Sequence, residues 1–307
     1  MTTAIISHPD CALHDPGEGH PERSKRVSVI QEALKKVSFN QPVAFYEAPL
    51  ATHEQLSRVH EEGYIAWLAS ISPETGFALI DADTVMSPAT LNAAYRAAGS
   101  VPYAVDLVMQ HKAYTAFCNV RPPGHHAEPA QAMGFCFFNN VAVGMAHAMA
   151  VYGLSRIAIV DFDLHRGNGT QAMFQQDERV LYCSSFAHPL YPGYDARLDN
   201  AHILSVPLAP GTSGLEFRQK VESAWFEKLV AFKPQCIFFS AGFDAHKNDP
   251  LSPLMLTKDD YVWLTEHIAR IAKECCNSKM ISVLEGGYNV KVLAECVPAH
   301  VNAMTGR

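Results

Sequence analysis

The chain has no C-x-x-C pair: its eight cysteines are scattered along 307 residues, and only Cys275 and Cys276 are neighbours. That spacing suggests neither a zinc ribbon nor a disulfide framework. In a reducing compartment such thiols serve mainly as small buried apolar side chains. The residues from Met1 to Asp10 carry no basic stretch followed by a long apolar one, so no secretory signal is visible. Long hydrophobic runs are also missing. The most apolar span, Val141 to Val160, is broken by His147, Ser155 and Arg156, and it reads as a helix followed by a buried strand rather than a membrane span. Positive charge is in short supply, with 24 Lys and Arg against 31 Asp and Glu and a formal net charge of -7. That argues against nucleic acid as the main partner, which calls for a basic face. A mild acidic excess is compatible with a cationic substrate. No internal repeat, low-complexity run or Pro/Ser-rich linker interrupts the chain. The expectation is a soluble, cytoplasmic protein without a membrane or nucleic-acid partner. A single domain is expected to span residues 1–307; the oligomeric state stays open.

What is present is enough apolar material for a sizeable core, 48% hydrophobic against 18% charged. Short runs rich in β-branched and apolar residues end in Gly, Pro and Asp clusters: Tyr114 to Val120, Ile157 to Val160, Val180 to Cys183, Cys236 to Phe239 and Met280 to Leu284. Between them lie helical patterns, at Pro88 to Gln110, Asn140 to Tyr152, Leu215 to Phe232 and Thr257 to Cys275. Continuous apolar strands alternating with helices predict an α/β fold of three layers, with a central, mostly parallel sheet and helices on both faces. In such sheets ligands bind beyond the carboxyl ends of the strands. Four chemically unusual loops follow those runs, Arg121 to His126, Asp161 to His165, Ser240 to Asp244 and Glu285 to Tyr288.

Asp163 and His165, two apart on an extended segment, point to one side and can reach one ion. A carboxylate and an imidazole suit zinc, although the pair in isolation reads as readily as a structural feature. Asp244 sharpens the case, because it ends the apolar strand Ile237-Phe238-Phe239, where an unpaired carboxylate is costly to bury. A three-ligand site from two strand ends accounts for all three residues. The His125-His126 pair follows a Pro-Pro-Gly turn that can present it in a fixed conformation. The alternative is a surface loop that happens to carry two of fifteen histidines. Beside a metal site, one imidazole can take a proton from the attacking water and pass it to a leaving amine. Asp161 and Asn168 are the natural acceptors for the other ring nitrogens. Tyr288 follows two glycines, and its hydroxyl could face a developing oxyanion; a capping aromatic in a turn is the plainer reading.

Taken together the motifs resemble the class II histone deacetylase family and its bacterial histone deacetylase-like amidohydrolases, within the arginase-deacetylase fold. The resemblance rests on HDPGEGHPER (14–23), RPPGHHAEPAQAMGFCFFNN (121–140), DFDLHRGNGTQ (161–171), LYPG (190–193), SAGFDAHKNDPLSP (240–253) and LEGGYN (284–289), in family order across nearly the whole chain. It implies one zinc ion on Asp163, His165 and Asp244. It also implies a proton shuttle at His126 oriented by Asn168, a partly cationic His125 oriented by Asp161, and carbonyl polarisation by Tyr288. Gly134, Phe135, Tyr191 and Leu251 would line a narrow tunnel for an acylated amine. Arg23 would line an internal channel for the released acid. A monovalent cation, usually potassium, would sit near Asp161, Asp163, His165 and Ser184. Where many members carry a second histidine this chain has Arg166, for which a salt bridge to a nearby carboxylate is the simplest role. Gly167 and Gly169 stand where arginases on this fold place ligands for a second metal, which disfavours that activity.

The substrate implied is an acyl-lysine side chain, with acetylated polyamines second and a non-catalytic acyl-lysine binding protein third. Leu251 occupies the place where polyamine-specific members carry an acidic gatekeeper, and the segment between Asp83 and Arg121 lacks a long extra loop. Both features favour acyl-lysine.

Overall fold

The computed structural model describes residues 2–305. In chain order it begins with β1 (Thr3–Ser7), α1 (Lys25–Lys36), β2 (Val43–Glu47), α2 (His53–Ser57) and α3 (Glu62–Ile71). A two-stranded hairpin, β3 (Ala78–Leu79) and β4 (Val85–Met86), precedes α4 (Thr90–Met109), β5 (Thr115–Cys118) and α5 (Asn140–Tyr152). Next come β6 (Ile157–Asp161), α6 (Asn168–Phe174), β7 (Val180–Ala187) and β8 (Ile203–Leu208). The chain closes with α7 (Gly214–Val221), α8 (Glu227–Phe232), β9 (Cys236–Ala241), α9 (Lys258–Cys276), β10 (Met280–Leu284) and α10 (Val290–Met304).

Eight strands form one sheet in the order β2-β1-β5-β10-β9-β6-β7-β8, and each pairing in it is parallel. The expected three layers are therefore present, with a wholly parallel sheet. Strands β5, β6, β7, β9 and β10 are buried along their full length, as continuous apolar runs require when both faces are covered. Alternate side chains divide between two cores. Val160, Phe239 and Leu284 pack with Leu34 of α1, Trp225, Ile268 of α9 and Val297 of α10. Ile159, Phe238 and Val283 pack with Val101 of α4 and Met145 of α5 on the opposite face. This is the period-two alternation of a strand, read out as two layers of helices.

The helical pattern at Leu215 to Phe232 is interrupted by a π-helical turn at Glu222–Phe226 between α7 and α8. The widened turn carries Trp225, fully buried, with its indole N–H donating to Leu204 O at 3.2 Å. A uniform 3.6-residue period does not anticipate that insertion. Close packing of α4 on α5 depends on Gly144, where a Cβ would lie 2.2 Å from Val101 Cγ1. Among the described residues no helix is long and apolar enough to cross a membrane.

Candidate active site

Strands β5, β10, β9 and β6 are neighbours at the centre of the sheet, so the loops at their carboxyl ends open side by side. These are the four loops singled out above. Asp163, His165 and Asp244 each offer a ligand atom, and these atoms lie within 4.8 Å of one another. His165 Nδ1 is 3.2 Å from Asp163 Oδ1 and 3.2 Å from Asp244 Oδ2. Backbone donors fix the outer oxygens: Gly286 N–H donates to Asp163 Oδ2 at 2.8 Å and Leu164 N–H to Asp244 Oδ1 at 3.0 Å. Asp244 Oδ2 is buried without a hydrogen-bond partner. An orphaned buried oxygen facing a second carboxylate and an imidazole fits a cation held at their centre. The protonation equilibria express the same demand for positive charge. Burial opposes the His165 cation, but the hydrogen bond to Asp163 and the charges of Asp163 and Asp244 outweigh it and raise its pKa to about 10. Burial and the nearby Asp163 push Asp244 up to about 7.

The glycines make room for this cluster. A Cβ at Gly242 would lie 2.0 Å from Asp163 Oδ2, and one at Gly286 would lie 2.2 Å from Asp244 Oδ2. Neither site tolerates a side chain without moving a carboxylate.

The two histidines stand with ring centroids 4.1 Å apart but in opposite electrostatic settings. His125 Nδ1 is hydrogen bonded to Asp161 Oδ2 at 3.2 Å, and its Nε2 lies 3.7 Å from Asp163 Oδ1. Burial disfavours its cation, yet the charges of Asp163 and Asp161 prevail and raise its pKa to about 10. His126 is held well below the ordinary value, by burial first and then by the charges of His125 and His165. It is a neutral base at pH 7. Its tautomer follows from its neighbours. Asn168 Nδ2 donates to Glu128 Oε1 at 2.8 Å, which turns Asn168 Oδ1 towards His126 Nδ1, also at 2.8 Å. Nδ1 therefore carries the proton and Nε2 keeps its lone pair.

Tyr288 is nearly buried and meets Phe135 edge-on at 6.0 Å. Burial first, then the Asp244 carboxylate, raises its pKa well above 10, so the hydroxyl remains a donor. Phe135 adopts a φ of +67° directly after Gly134 at +56°. A left-handed phenylalanine is strained. Its N–H is held by Thr84 Oγ1 at 3.1 Å, and a Cβ at Gly134 would lie 2.5 Å from His126 Cδ2. A cavity of about 260 Å³ is lined by His126, His165, Tyr288, Gly134, Phe135, Tyr191 and the partly exposed Leu251. Pro21 and Asp83 complete it; Pro21 lies in the first motif, but neither residue was assigned to the tunnel from the sequence.

Two expectations need correction. Arg23 is exposed and precedes α1, so its side chain does not line an internal channel. The buried face of α1 comprises Arg26, Val27, Ile30 and Leu34, and Arg26 is the arginine behind the site. It donates to Gly287 O at 2.6 Å, to Glu22 Oε1 at 2.8 Å and to Glu285 O. Arg166 forms no salt bridge among the described residues; its Nη1 donates to Gln171 Oε1 at 2.9 Å. Ser184 is buried opposite Asp161 in the β6–β7 register, and its Oγ has no hydrogen-bond partner.

Glu285 is a further site residue. Its carboxylate accepts from Gly124 N–H at 2.6 Å and His125 N–H at 3.1 Å, pinning the histidine loop. Burial pushes its pKa up to about 7. The signal was available in the sequence: like Asp244, Glu285 is a carboxylate ending an apolar strand.

This sheet topology and its crevice define an α/β protein of the arginase-deacetylase fold. The Histone deacetylase domain profile matches residues 20–304, and the chain belongs to the histone deacetylase family of deacetylases and amidohydrolases. It is 34% identical over 299 residues to a probable deacetylase of Archaeoglobus fulgidus, covering 95% of this chain and 82% of that protein. It is 32% identical over 295 residues to the histone deacetylase-like amidohydrolase of Pseudomonas aeruginosa, covering 94% and 77%. The crystal structure of the HDA15 HD domain superposes with a TM-score of 0.91 at 29% identity, covering 99% of this chain and 90% of that one.

Proposed function

We propose that the chain is a zinc-dependent deacetylase that hydrolyses the amide of an acetyl-lysine, or another acyl-lysine, to the free amine and acid. The observation that carries the reading is a convergent Asp163-His165-Asp244 donor set whose His165 lines the same pocket as a neutral His126 and a protonated Tyr288. A zinc ion on that donor set would supply Lewis acidity towards the scissile carbonyl and lower the pKa of water to about 7. The protein groups supply the rest. His126 Nε2, with its partner nitrogen fixed by Asn168, takes the proton of the attacking water and delivers it to the leaving nitrogen. His125, cationic between Asp161 and Asp163, keeps His126 from protonating early. The Tyr288 hydroxyl donates to the carbonyl oxygen as negative charge develops. Phe135 and Tyr191 exclude water along the acyl-amine chain.

A potassium ion near Asp161, Asp163, His165 and Ser184 belongs to the same proposal, supported by the unpartnered Ser184 Oγ. Eight unpaired cysteines suit a reducing cytoplasm. Leu251, 38% exposed at the rim, supports acyl-lysine over polyamine. Asp83 at the same pocket keeps acetylated polyamines as the second reading, since a carboxylate there can meet a distal ammonium. Turnover of an acetyl-lysine peptide beside N-acetylated polyamines, with zinc content measured on the same preparation, decides the matter. Faster polyamine cleavage reverses the substrate ranking. Stoichiometric zinc without turnover of either leaves a non-catalytic binding protein.

A further inference from the structure

Asp249 takes no part in the chemistry above, yet its carboxylate ties together two of its components. It is 6% exposed and accepts three backbone N–H groups. Oδ2 takes those of Tyr288 at 2.7 Å and Asn289 at 3.1 Å, and Oδ1 takes that of Leu251 at 3.1 Å. One acceptor thus spans the pocket rim and the loop bearing the tyrosine hydroxyl. Asn289 caps α10, so the carboxylate also sits at the positive end of that helix.

The need for such an anchor lies in the sequence around it. Tyr288 follows Gly286-Gly287, and Gly287 has a φ of +114°, so the intrinsic stiffness of this segment is low. Arg26 holds the carbonyls of Glu285 and Gly287; no bond from Arg26 reaches the Tyr288 N–H. Gly286 is held by Asp163 and Phe243, and Arg26 lies over the Tyr288 ring at 5.1 Å, but without Asp249 the backbone N–H groups of Tyr288 and Asn289 lose their acceptor. A hydroxyl that must meet a developing oxyanion tolerates little drift.

We propose that Asp249 is a positioning residue that couples Leu251 at the rim to the Tyr288 hydroxyl, so that rim and oxyanion donor share one geometry. The proposal rests on the deacetylase reading and is tested with Asp249→Asn on two peptides, acetyl-lysine and trifluoroacetyl-lysine. The fluorinated carbonyl is already electron-poor and depends less on a hydrogen bond to its oxygen. The expected result is a roughly 10- to 100-fold loss of kcat on the acetyl substrate with KM within about threefold. On the trifluoroacetyl substrate the loss is under about threefold. Zinc content is unchanged. In a Tyr288→Phe background Asp249→Asn adds no further loss on the trifluoroacetyl peptide. Equal losses on the two substrates, or an acetyl rate within about twofold of the parent, overturn the proposal. Should Asp249→Asn not fold, Asp249→Glu keeps the charge but displaces the carboxylate by one methylene and is read by the same ratio. A parent chain that turns over neither peptide overturns the deacetylase reading itself, and the proposal with it.

Discussion

Gly286→Ala adds a single methyl group where it meets two carboxylates of the proposed metal site. Its Cβ would lie 2.2 Å from Asp244 Oδ2 and 2.6 Å from Asp163 Oδ2. Ordinary contact needs about 3.5 Å, so Asp244 Oδ2 has to retreat by about 1.3 Å. Metal–oxygen bonds to zinc tolerate about 0.2 Å. The retreat is also opposed by Leu164 N–H, which holds the other Asp244 oxygen at 3.0 Å. Either the carboxylate leaves the donor set or the β10 backbone shifts; both spoil the triad. Loss of a supporting contact at a metal site costs about 10- to 100-fold in affinity, and displacing a ligand atom should cost at least that. Overpacking strain of about 1–3 kcal/mol accompanies it. Competition with a chromogenic chelator measures the affinity, and thermal unfolding in the presence of EDTA separates fold from metal. Gly63→Ala is the control, because a Cβ at that position in α3 meets nothing within 4 Å and a helical alanine stabilises by up to about 1 kcal/mol. A Gly286→Ala chain that binds zinc with the parent's affinity refutes the assignment of this cluster as the metal site.

The remaining predictions are simpler. Tyr288→Phe should lower kcat about 100- to 1000-fold with zinc retained; steady-state rates and metal analysis check it, and undiminished turnover would remove the tyrosine from the mechanism. Leu251→Glu should raise kcat/KM for an acetylated polyamine relative to acetyl-lysine by about fivefold, the effect of roughly 1 kcal/mol from a rim ion pair, and an unchanged ratio argues that the rim does not select. His300, hydrogen bonded to Thr265 and Ser282 in the core, is lowered by burial to about 3. Its neutral form is the folded one, so its contribution is complete above pH 6.5 and is lost as pH falls towards 3. The parent should lose about 2 kcal/mol of stability from this group between pH 7 and 5, and His300→Gln should lose correspondingly less in denaturant titrations at those two pH values. Glu22 bridges Arg121 and Arg26, all fully buried; Glu22→Ala should cost about 3–5 kcal/mol by stranding two guanidinium groups, and an unshifted denaturation midpoint would contradict that accounting.

Several elements were legible before any coordinates. The strand Met280–Leu284 and the helix Asn140–Tyr152 have the bounds that their apolar patterns predict. The helix is long enough for its period to show and is closed by Gly153 in the left-handed conformation, whereas the strand is marked by its short apolar run ending at Glu285-Gly286-Gly287. The polar loop residues Asp163, His165 and Asp244 stood out because carboxylates rarely end apolar strands without a partner. Arg23 shows the limit of that approach. A motif carries the arginine, but only the phase of α1 determines which side chain of 23 and 26 turns inward. The π turn at Glu222–Phe226 was invisible for a similar reason, since Trp225 reaches its acceptor Leu204 O only across the tertiary interface.

The sequence by itself determined the α/β class, the parallel sheet and the identities of the polar residues at the strand ends, because these follow from local periodicity and from the cost of burying unpaired charge. Only the tertiary structure decided which of those residues share a charge environment. Two adjacent histidines came to differ in charge, because His125 faces Asp161 and Asp163 while His126 faces Asn168, His125 and His165. That division depends on distances of a few ångströms between segments far apart in the chain, at a depth where solvent no longer screens them.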